Sequence, residues 1–593
     1  MPKSKLPVVK NIVFGELEYV DRGVQEPPIE EERVGCTISI LLNKKYHPND
    51  FDIKLFSEEI QFEENIPANN ADTKALRNNQ DTGRYLHFYL NNLACKTTYR
   101  YQILYKNNPL LIQHLAGQTA REEIIIRTPP ARLDPEPIKI AVGGDQERLE
   151  QFGPIGRWFD INNLSHTQLL YDHMGQEGDF EATASEDIAK QPYQLFIHLG
   201  DLFNGEFFFS ARNLLRRDRK LFEPSVNSLS GFRGQLAGDF GKPVRNNLAH
   251  LAYGFYAVAD DHDTGKNDSL PPKTEKEFAR RRNMEMAFHE FVLMPSFLSE
   301  PLSDFNESNE LGRAGPYYKK RIGQSEFFFL HNRFTMDVTR EDAYLLGEDQ
   351  WQWLEESLQH STASNKVLIS PLPFVMGKKP TDDYRAHWQE WHRLMQLCRQ
   401  YDIATILTAD SHNYSHSEIH VREFPNQDPW IIHQHLIGTL GGSQQHICAA
   451  EMQQIELEGR PPLLPQGEGF DATLYAGSTV KAYFTPGSKQ ALLPERDADT
   501  TKSQWTKKGE WHKNTHAYAG MIFKPLFDNP ISDSEPEVEG NEMEIEKLPP
   551  KKASQVKSWQ VESSLFTCTG KRKNVIHEER LDCQYVTDYP SLL

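Results

Sequence analysis

The chain has 593 residues, of which 38% are hydrophobic and 25% charged, so it has enough apolar side chains for packed domains and is not disordered overall. Acidic residues outnumber basic ones, 84 to 65, and the net charge of −19 argues against a stable nucleic-acid partner, because phosphate contacts need surplus Lys and Arg. The sequence contains no run of about 18 apolar residues, so no membrane-spanning helix is predicted.

The N-terminal segment and the cysteines both favour a cytoplasmic protein. Lys10 and Asn11 interrupt the apolar stretch of the first 20 residues, which makes a poor signal peptide. The six cysteines are far apart and include no CxxC pair, so we expect reduced thiols rather than a disulfide scaffold. Export by a non-classical route stays open, and no feature identifies a protein partner.

Residues 1–135 are predicted to form a β-rich domain. Short runs rich in Val, Ile, Tyr and Phe are separated by polar stretches, and no helix-length periodic segment intervenes. This pattern is typical of a small antiparallel β-sandwich. The runs are 36–42, 51–56, 85–93, 98–105 and 123–128. The segment PPARLDPEP at 129–137 follows and is predicted to be a linker, because it has four prolines in nine residues.

Strands alternate with helices over residues 136–450, which indicates an α/β domain with a sheet covered on both faces. The predicted strands are 138–144, 193–200, 255–259, 325–332, 365–373 and 402–409. The predicted helices are 274–293, 348–360 and 386–401. Residues 451–593 are interpreted as a C-terminal extension that completes or flanks this domain, with an acidic, mobile loop at 531–552.

Apolar strands of this region repeatedly end at a carboxylate: Asp145, Asp201, Asp260 with Asp261, and Asp410. A single Asp after a strand is usually a turn residue or a helix cap. Several such residues are different, because ligands of open α/β sheets bind at the carboxyl ends of strands. Converging carboxylates repel one another and are costly to bury, and a metal ion removes that cost. Asp with neighbouring His and Asn suits Fe, Mn, Zn or Ca.

Four segments resemble, in order, the sequence blocks of the PhoD-like branch of the calcineurin-type metallophosphoesterases, the alkaline phosphatase D-like proteins. They are IAVGGDQ at 140–146, HLGDLFN at 198–204, ADDHDTGKND at 259–268 and TADSHNYSH at 408–416. The resemblance implies a four-layer α/β/β/α sandwich with two metals at one edge, preceded by an antiparallel β-sandwich domain. It also implies a phosphatase that hydrolyses phosphate esters by a metal-activated water.

The resemblance implies a role for each matching position. Asp145 is expected to bind the first metal, Asp201 to bridge both metals, and Asp261 to bind the second. His262 is expected to protonate the leaving group. The other expected site residues are Asn204, Asp410 and His412 as metal ligands, and Asn267 and Arg340 as substrate-binding residues, with Arg333 weighed beside Arg340 as a clamp for phosphate.

Two differences from the family leave the metal identity open. The best-known members carry Cys where Asp145 stands and Tyr where Asn204 stands, and both of those ligands favour ferric iron. We therefore expect two ions among Fe, Mn and Zn, with or without Ca. A phosphodiesterase or phospholipase-D-like activity uses the same centre and stays an alternative, as does a regulatory protein that only holds a ligand there.

His412, His416 and His420 recur at every fourth position. On a helix this spacing would align three imidazoles for zinc. Asn413, Tyr414 and two serines intervene directly after a strand, however, and favour a loop. In that interpretation His412 is a metal ligand and His416 lies near the pocket.

Overall fold

In the computed structural model the described residues are 6–19, 31–68, 85–112, 121–146, 167–178, 187–202, 207–209, 222–224, 228–229, 231–232, 236, 243–251, 253–264, 272–288, 317–333, 335–336, 345–374, 387–410, 412, 414–421, 430–438, 440, 479–484, 516–527, 556–568 and 576–588. Within them, no helix is long and apolar enough to cross a membrane. The cysteines whose side chains are described are free thiols, as predicted: Cys36, Cys95, Cys398 and Cys568.

The described residues of the N-terminal part form β-strands without an α-helix, as predicted. Its strands are β1 (Val9–Tyr19), β2 (Arg33–Leu42), β3 (Phe51–Ser57), β4 (Phe62–Pro67), β5 (Tyr85–Ala94), β6 (Thr98–Tyr105), β7 (Asn108–Pro109) and β8 (Glu123–Arg127), with a 3₁₀ turn at Pro48–Asp50. Phe51, Ile53 and Leu55 alternate with more exposed residues along β3, which is the period expected for a strand with one buried face.

These strands form two antiparallel sheets, one in the order β1-β2-β5 and the other β4-β3-β6-β7 with β8 on β6. Phe14 of β1 meets Tyr101 of β6 edge to face, with ring centroids 5.9 Å apart, so the sheets pack face to face. Tyr101 also donates a 3.0 Å hydrogen bond to the carbonyl of Ala249, which joins this sandwich to the following part of the chain.

The following strands are β9 (Ile138–Gly143), β10 (Leu195–His198), β11 (Phe207–Phe209), β12 (Phe222–Pro224), β13 (Phe255–Ala257), β14 (Tyr318–Ile322), β15 (Ser325–Phe329), β16 (Asn365–Ile369), β17 (Ile403–Thr408), β18 (Tyr414–Val421), β19 (Trp430–Ile437), β20 (Thr479–Phe484), β21 (His516–Phe527), β22 (Val556–Cys568) and β23 (Ile576–Asp588). The helices are α1 (Asp261–Thr264), α2 (Glu275–Phe288), α3 (Glu348–Gln359) and α4 (Trp388–Gln400), with 3₁₀ turns at Ile188–Lys190 and Pro243–Leu248 and a further helical segment at 167–174.

Two large mixed sheets carry this part of the chain. The first sheet has the order β13-β10-β9-β21-β22-β23, and the second has the order β14-β15-β16-β17-β19-β18-β20. In the first sheet β9, β10 and β13 are parallel, and β21 joins β9 antiparallel. Strands from the C-terminal region therefore complete the first sheet. The domain boundaries at 135 and 450 stay predictions, and 531–552 lies outside the described residues.

Side-chain alternation along the central strands creates the layers. Phe327 and Phe329 of β15 point into the core between the two sheets, whereas Phe328 packs with α3 and α4 on the outer face. The first sheet repeats this pattern, with Val142 inside and Ala141 facing the layer that contains α2 and 167–174. The predicted four-layer α/β/β/α architecture is therefore confirmed.

The prediction of a loop after His412 is wrong. Residues 414–421 form β18, which pairs antiparallel with β19. His416 is buried and stacks on His433, with ring centroids 5.2 Å apart and an interplanar angle of 8°. Ile419 and Val421 are buried on the same strand, so a period of two was present in the sequence but was obscured by the fourfold spacing of the histidines.

Candidate metal centre

The strand ends bring the described site residues together. Asp145 follows β9, Asp201 follows β10, Asp261 follows β13, and Asp410 and His412 follow β17. Because β9, β10 and β13 are parallel, as are β15, β16, β17 and β19, these ends lie at the carboxyl edges of the two packed sheets. Three buried groups have ligand atoms within 4.8 Å of one another: Asp145, Asp201 and His412; Asp201, Asp261 and His262; and Asp260, Asp261 and Asp410.

Four of these residues adopt the left-handed backbone conformation. The angle φ is 52° at Asp145, 53° at Asp201, 66° at Asp410 and 48° at His412. Only a few per cent of non-glycine residues have positive φ, although Asp and His tolerate it better than most. Such strain persists where the surrounding structure enforces it, and it concentrates at functional sites. A turn with positive φ is therefore shared by four of the predicted ligands, whereas Asp261 begins the short helix α1.

Two glycines allow the strand ends to approach this closely. Gly200 has φ of 115°, and a Cβ there would lie 2.7 Å from the Cβ of Asp260. Gly438 faces the other side of the site, where a Cβ would collide with Oδ2 of Asp145 and lie 3.0 Å from Cα of His412. Only a residue without a side chain fits at either position.

Backbone amides orient three of the carboxylates. The amide of His262 donates to Oδ1 of Asp201 at 3.1 Å and to Oδ1 of Asp261 at 2.8 Å. The amide of Asp410 donates to Oδ1 of Asp145 at 3.1 Å. Asp263 accepts the amide of Asp260 at 3.0 Å, which caps the short helix α1 in the manner of a capping box. The carboxylates are therefore fixed before any ligand binds.

The electrostatics of the cluster favour a cation. Burial raises the pKa of Asp201 well above its usual range, and the neighbouring carboxylates of Asp261, Asp260, Asp263 and Asp145 raise it further. Burial also raises the pKa of Asp260 to about 7, although Arg333 opposes that shift. Carboxylates this close cannot all ionise unless positive charge is brought among them.

Arg333 supplies part of that charge. Its side chain is fully buried, with Nε 2.5 Å from Oδ1 of Asp260 and Nη2 2.6 Å from Oδ1 of Asp410. Nη2 is also 3.9 Å from Oδ2 of Asp261. The sequence suggested Arg333 as a phosphate clamp, whereas the structure places its guanidinium among the carboxylates. The available signal was its position: Arg333 follows β15, which runs to the same edge as the other strands.

The donor atoms fit metal ions. Carboxylate oxygens and imidazole nitrogens suit hard or borderline cations, and both kinds are present. Oδ2 of Asp260 is buried and has no hydrogen-bond partner among the described residues. Asn204, Asn267 and Arg340 lie outside the described residues, so their predicted roles stay predictions.

A model of the PhoD-like phosphatase family matches residues 172–444. This part of the chain belongs to the PhoD-like phosphatase family. The chain is therefore a phosphoester hydrolase, and the family implies a phosphate-ester substrate. The matched span contains Asp201, Asp261, Asp410 and His412, whereas Asp145 precedes it.

A solved phosphatase structure shares the fold. A structure of PhoD has a TM-score of 0.51 and 14% identity, covering 97% of this chain and 92% of its own. A purple acid phosphatase from yellow lupin (Lupinus luteus) seeds has a TM-score of 0.45 and 10% identity, covering 98% of this chain and 74% of its own. No curated protein matches the chain. In this phosphatase, the buried Asp and His groups are consistent with a metal site.

Proposed function

We propose that the chain hydrolyses phosphate esters with two metal ions held at the carboxyl edges of the sheets. Asp145, Asp201 and His412 hold one ion, and Asp201 and Asp261 hold the other beside His262. The observation that carries this assignment is the position of Asp201, which belongs to two groups with ligand atoms within 4.8 Å. When bound, such ions polarise a phosphoryl oxygen and lower the pKa of a water.

The proposed ions are Fe, Mn or Zn, with or without Ca. The first group combines two carboxylates with an imidazole, which suits a borderline transition metal. Asp145 offers an oxygen in place of a thiolate, so the group is harder than one that contains Cys. The second group is richer in carboxylate and therefore also suits a cation that prefers oxygen, such as Ca²⁺.

We assign His262 as the general acid. Its backbone is fixed by two hydrogen bonds to Asp201 and Asp261, and its side chain is almost fully buried among carboxylates. An imidazole held at this position can give a proton to a leaving oxygen.

Chelation tests the metal dependence. Purified protein should hydrolyse p-nitrophenyl phosphate or its bis ester, lose that activity after exhaustive chelation, and regain it with Mn²⁺, Fe²⁺ or Zn²⁺, each with and without Ca²⁺. The ratio of the two rates distinguishes a monoesterase from a diesterase. Undiminished hydrolysis by metal-free protein would remove the assignment, and a metal-loaded protein without any hydrolysis would favour a ligand-holding role.

His262→Ala tests the general acid. A nitrophenolate departs without a proton, whereas an alkoxide needs one, and general-acid catalysis contributes about 10²–10⁴-fold. We therefore expect the loss of rate on an alkyl phosphate to exceed the loss on p-nitrophenyl phosphate by about tenfold or more, with metal content unchanged. Equal losses with depleted metal would instead make His262 an orienting residue or a ligand.

A further inference from the structure

The third group of carboxylates, Asp260, Asp261 and Asp410, differs from the other two because a protein cation already lies in it. The oxygens of this group are within 4.8 Å of one another, which is the spacing that a metal ion needs. The guanidinium of Arg333 contacts Asp260 at 2.5 Å and Asp410 at 2.6 Å, and it approaches Asp261 at 3.9 Å.

Burial of the charged Arg333 side chain carries a desolvation cost. The side chains of Arg333 and Asp260 are 0% exposed and that of Asp410 is 6% exposed, so the ion pairs are shielded from water. Buried ion pairs commonly contribute little to stability, because desolvation offsets their attraction. A guanidinium keeps its charge under all ordinary conditions and can bond two carboxylates at once through its planar fork. Arg333 is therefore suited to act as a permanent cation.

We propose that Arg333 occupies the place of a metal ion in the third group, so that the centre combines bound metals at the two groups containing Asp201 with a fixed guanidinium at the third. This inference rests on the proposed function. It assigns Asp410 to the arginine rather than to a metal. Asp410 then acts as a positioning residue, because its amide holds Oδ1 of Asp145 at 3.1 Å.

Removing Arg333 should have a different effect on metal binding from removing an arginine that only supports the fold. Removing the guanidinium leaves three buried carboxylates around the space that it filled. Their repulsion is then uncompensated, and an all-oxygen group of this kind binds Ca²⁺ or Mn²⁺. Arg333→Ala should therefore gain a metal ion, whereas loss of a structural support should lower the number of ions bound.

Equilibrium dialysis of the full chain against Mn²⁺ and against Ca²⁺, followed by elemental analysis, tests this directly. We expect Arg333→Ala to bind roughly one ion per chain more than the wild type. Arg333→Lys, which keeps the charge, should bind the wild-type number. Arg321→Ala is the matched control: it removes another largely buried arginine, which lies beside Glu326 at the other end of the second sheet, and it should leave the count unchanged.

The outcomes separate this inference from the proposed function. A wild-type protein that binds no metal contradicts the proposed function, whatever the variants do. A wild-type protein that binds metal, with an Arg333→Ala variant that binds the same number or fewer, overturns the inference. If Arg333→Ala does not fold without metal, the same count is made on Arg333→Gln, and rescue of folding by Ca²⁺ alone in Arg333→Ala also supports the inference.

Discussion

Two buried regions are rich in titratable groups. One is the carboxylate edge, which contains Asp145, Asp201, Asp260, Asp261 and Asp410, and the other is the histidine layer between the two sheets, which contains His416, His433 and His435. The two regions differ in how these groups are satisfied. In the histidine layer, His416 and His433 share a 3.0 Å hydrogen bond, and Nε2 of His435 lies 3.2 Å from the hydroxyl of Tyr585. The Tyr585 ring stacks on His433 with centroids 3.5 Å apart. These rings hydrogen-bond and stack on one another, although Nδ1 of His435 is buried without a hydrogen-bond partner among the described residues.

The two regions also shift the pKa of their groups in opposite directions. Burial, followed by the neighbouring His416 and His433, lowers the pKa of His435 well below its usual value. Burial and neighbouring carboxylates raise the pKa of Asp201. Burial and like-charged neighbours thus favour the neutral form in both places, but of the two regions only the carboxylates lie at strand ends with positive φ. That position, rather than burial itself, distinguishes the site from a packed polar layer.

The largest expected effect is that of Asp201→Asn. The substitution removes the carboxylate shared by two groups. Losing only an outer-shell partner of a metal costs up to about 100-fold in activity, so losing a ligand should lower hydrolysis by at least about that factor. The metal-free variant should nevertheless have a higher thermal midpoint than metal-free wild type, because a repelled buried carboxylate is gone. Activity assays and thermal melts check both, with the exposed Glu64→Gln as control. A variant with wild-type activity would place the site elsewhere.

Gly438→Ala should have the next largest effect. Its Cβ would collide with Oδ2 of Asp145, so the carboxylate must move and the first ion is held less well. We expect metal affinity and rate to fall about 10–100-fold, as for other supporting positions. Gly347→Ala is the control, because it has φ of 72° but its Cβ would lie 3.7 Å from Thr335 rather than against a site carboxylate. Equal losses in both variants would point to general backbone strain instead.

The pH dependence of stability should have opposite signs in the two regions. The pKa of Asp260 in the fold is about 7, so in metal-free protein its contribution to stability is present below the unfolded value near 4 and is lost as pH rises through about 7. The pKa of His435 is lowered, so its contribution is present above about pH 6.5 and is lost as pH falls.

Denaturant unfolding from about pH 5 to about pH 8, with and without Mn²⁺, measures both pH-dependent changes in the free energy of unfolding. Metal should remove the loss on the alkaline side, because it neutralises the carboxylates, and should leave the loss on the acid side. If the loss of stability at high pH did not respond to metal, the difference between the two regions would be contradicted.

The smallest effect on activity should come from Tyr585→Phe. The hydroxyl lies 2.9 Å from Oγ1 of Thr405 and is buried with His435, so its removal should cost about 1–3 kcal/mol of unfolding free energy. Hydrolysis should stay at the wild-type rate, since none of the three groups of candidate metal ligands contains a residue of this layer. A large loss of activity with unchanged stability would instead connect this layer to the site.

Much of the site was predictable because each of its carboxylates Asp145, Asp201, Asp261 and Asp410 follows a different strand. A compact apolar run ending in Asp145, Asp201 or Asp410 is a local signal, and the common edge of parallel strands then brings the carboxylates together. The ion pairs of Arg333 were not predicted, because its partners Asp260 and Asp410 are 73 and 77 positions away. No local pattern shows which charges a buried guanidinium will meet.

The predicted fold was correct where strand patterns were local. The long strands β22 and β23 were not recognised, since both carry many polar residues. Strand β22 pairs with β21 on one side and with β23 on the other. Strand β1 was interpreted only as a poor signal peptide, although its pairing with β2 makes it part of the sandwich. Partner strands supply the hydrogen bonds that these segments do not specify alone.

Titration of metal-free wild-type protein with Mn²⁺ tests the central claim most directly, if bound ions and hydrolysis of p-nitrophenyl phosphate, or of its bis ester for a diesterase, are measured on the same samples. The account predicts that the rate rises with occupancy and saturates when two ions per chain are bound. Full hydrolysis before any ion is bound, or two bound ions without any gain in rate, would contradict it.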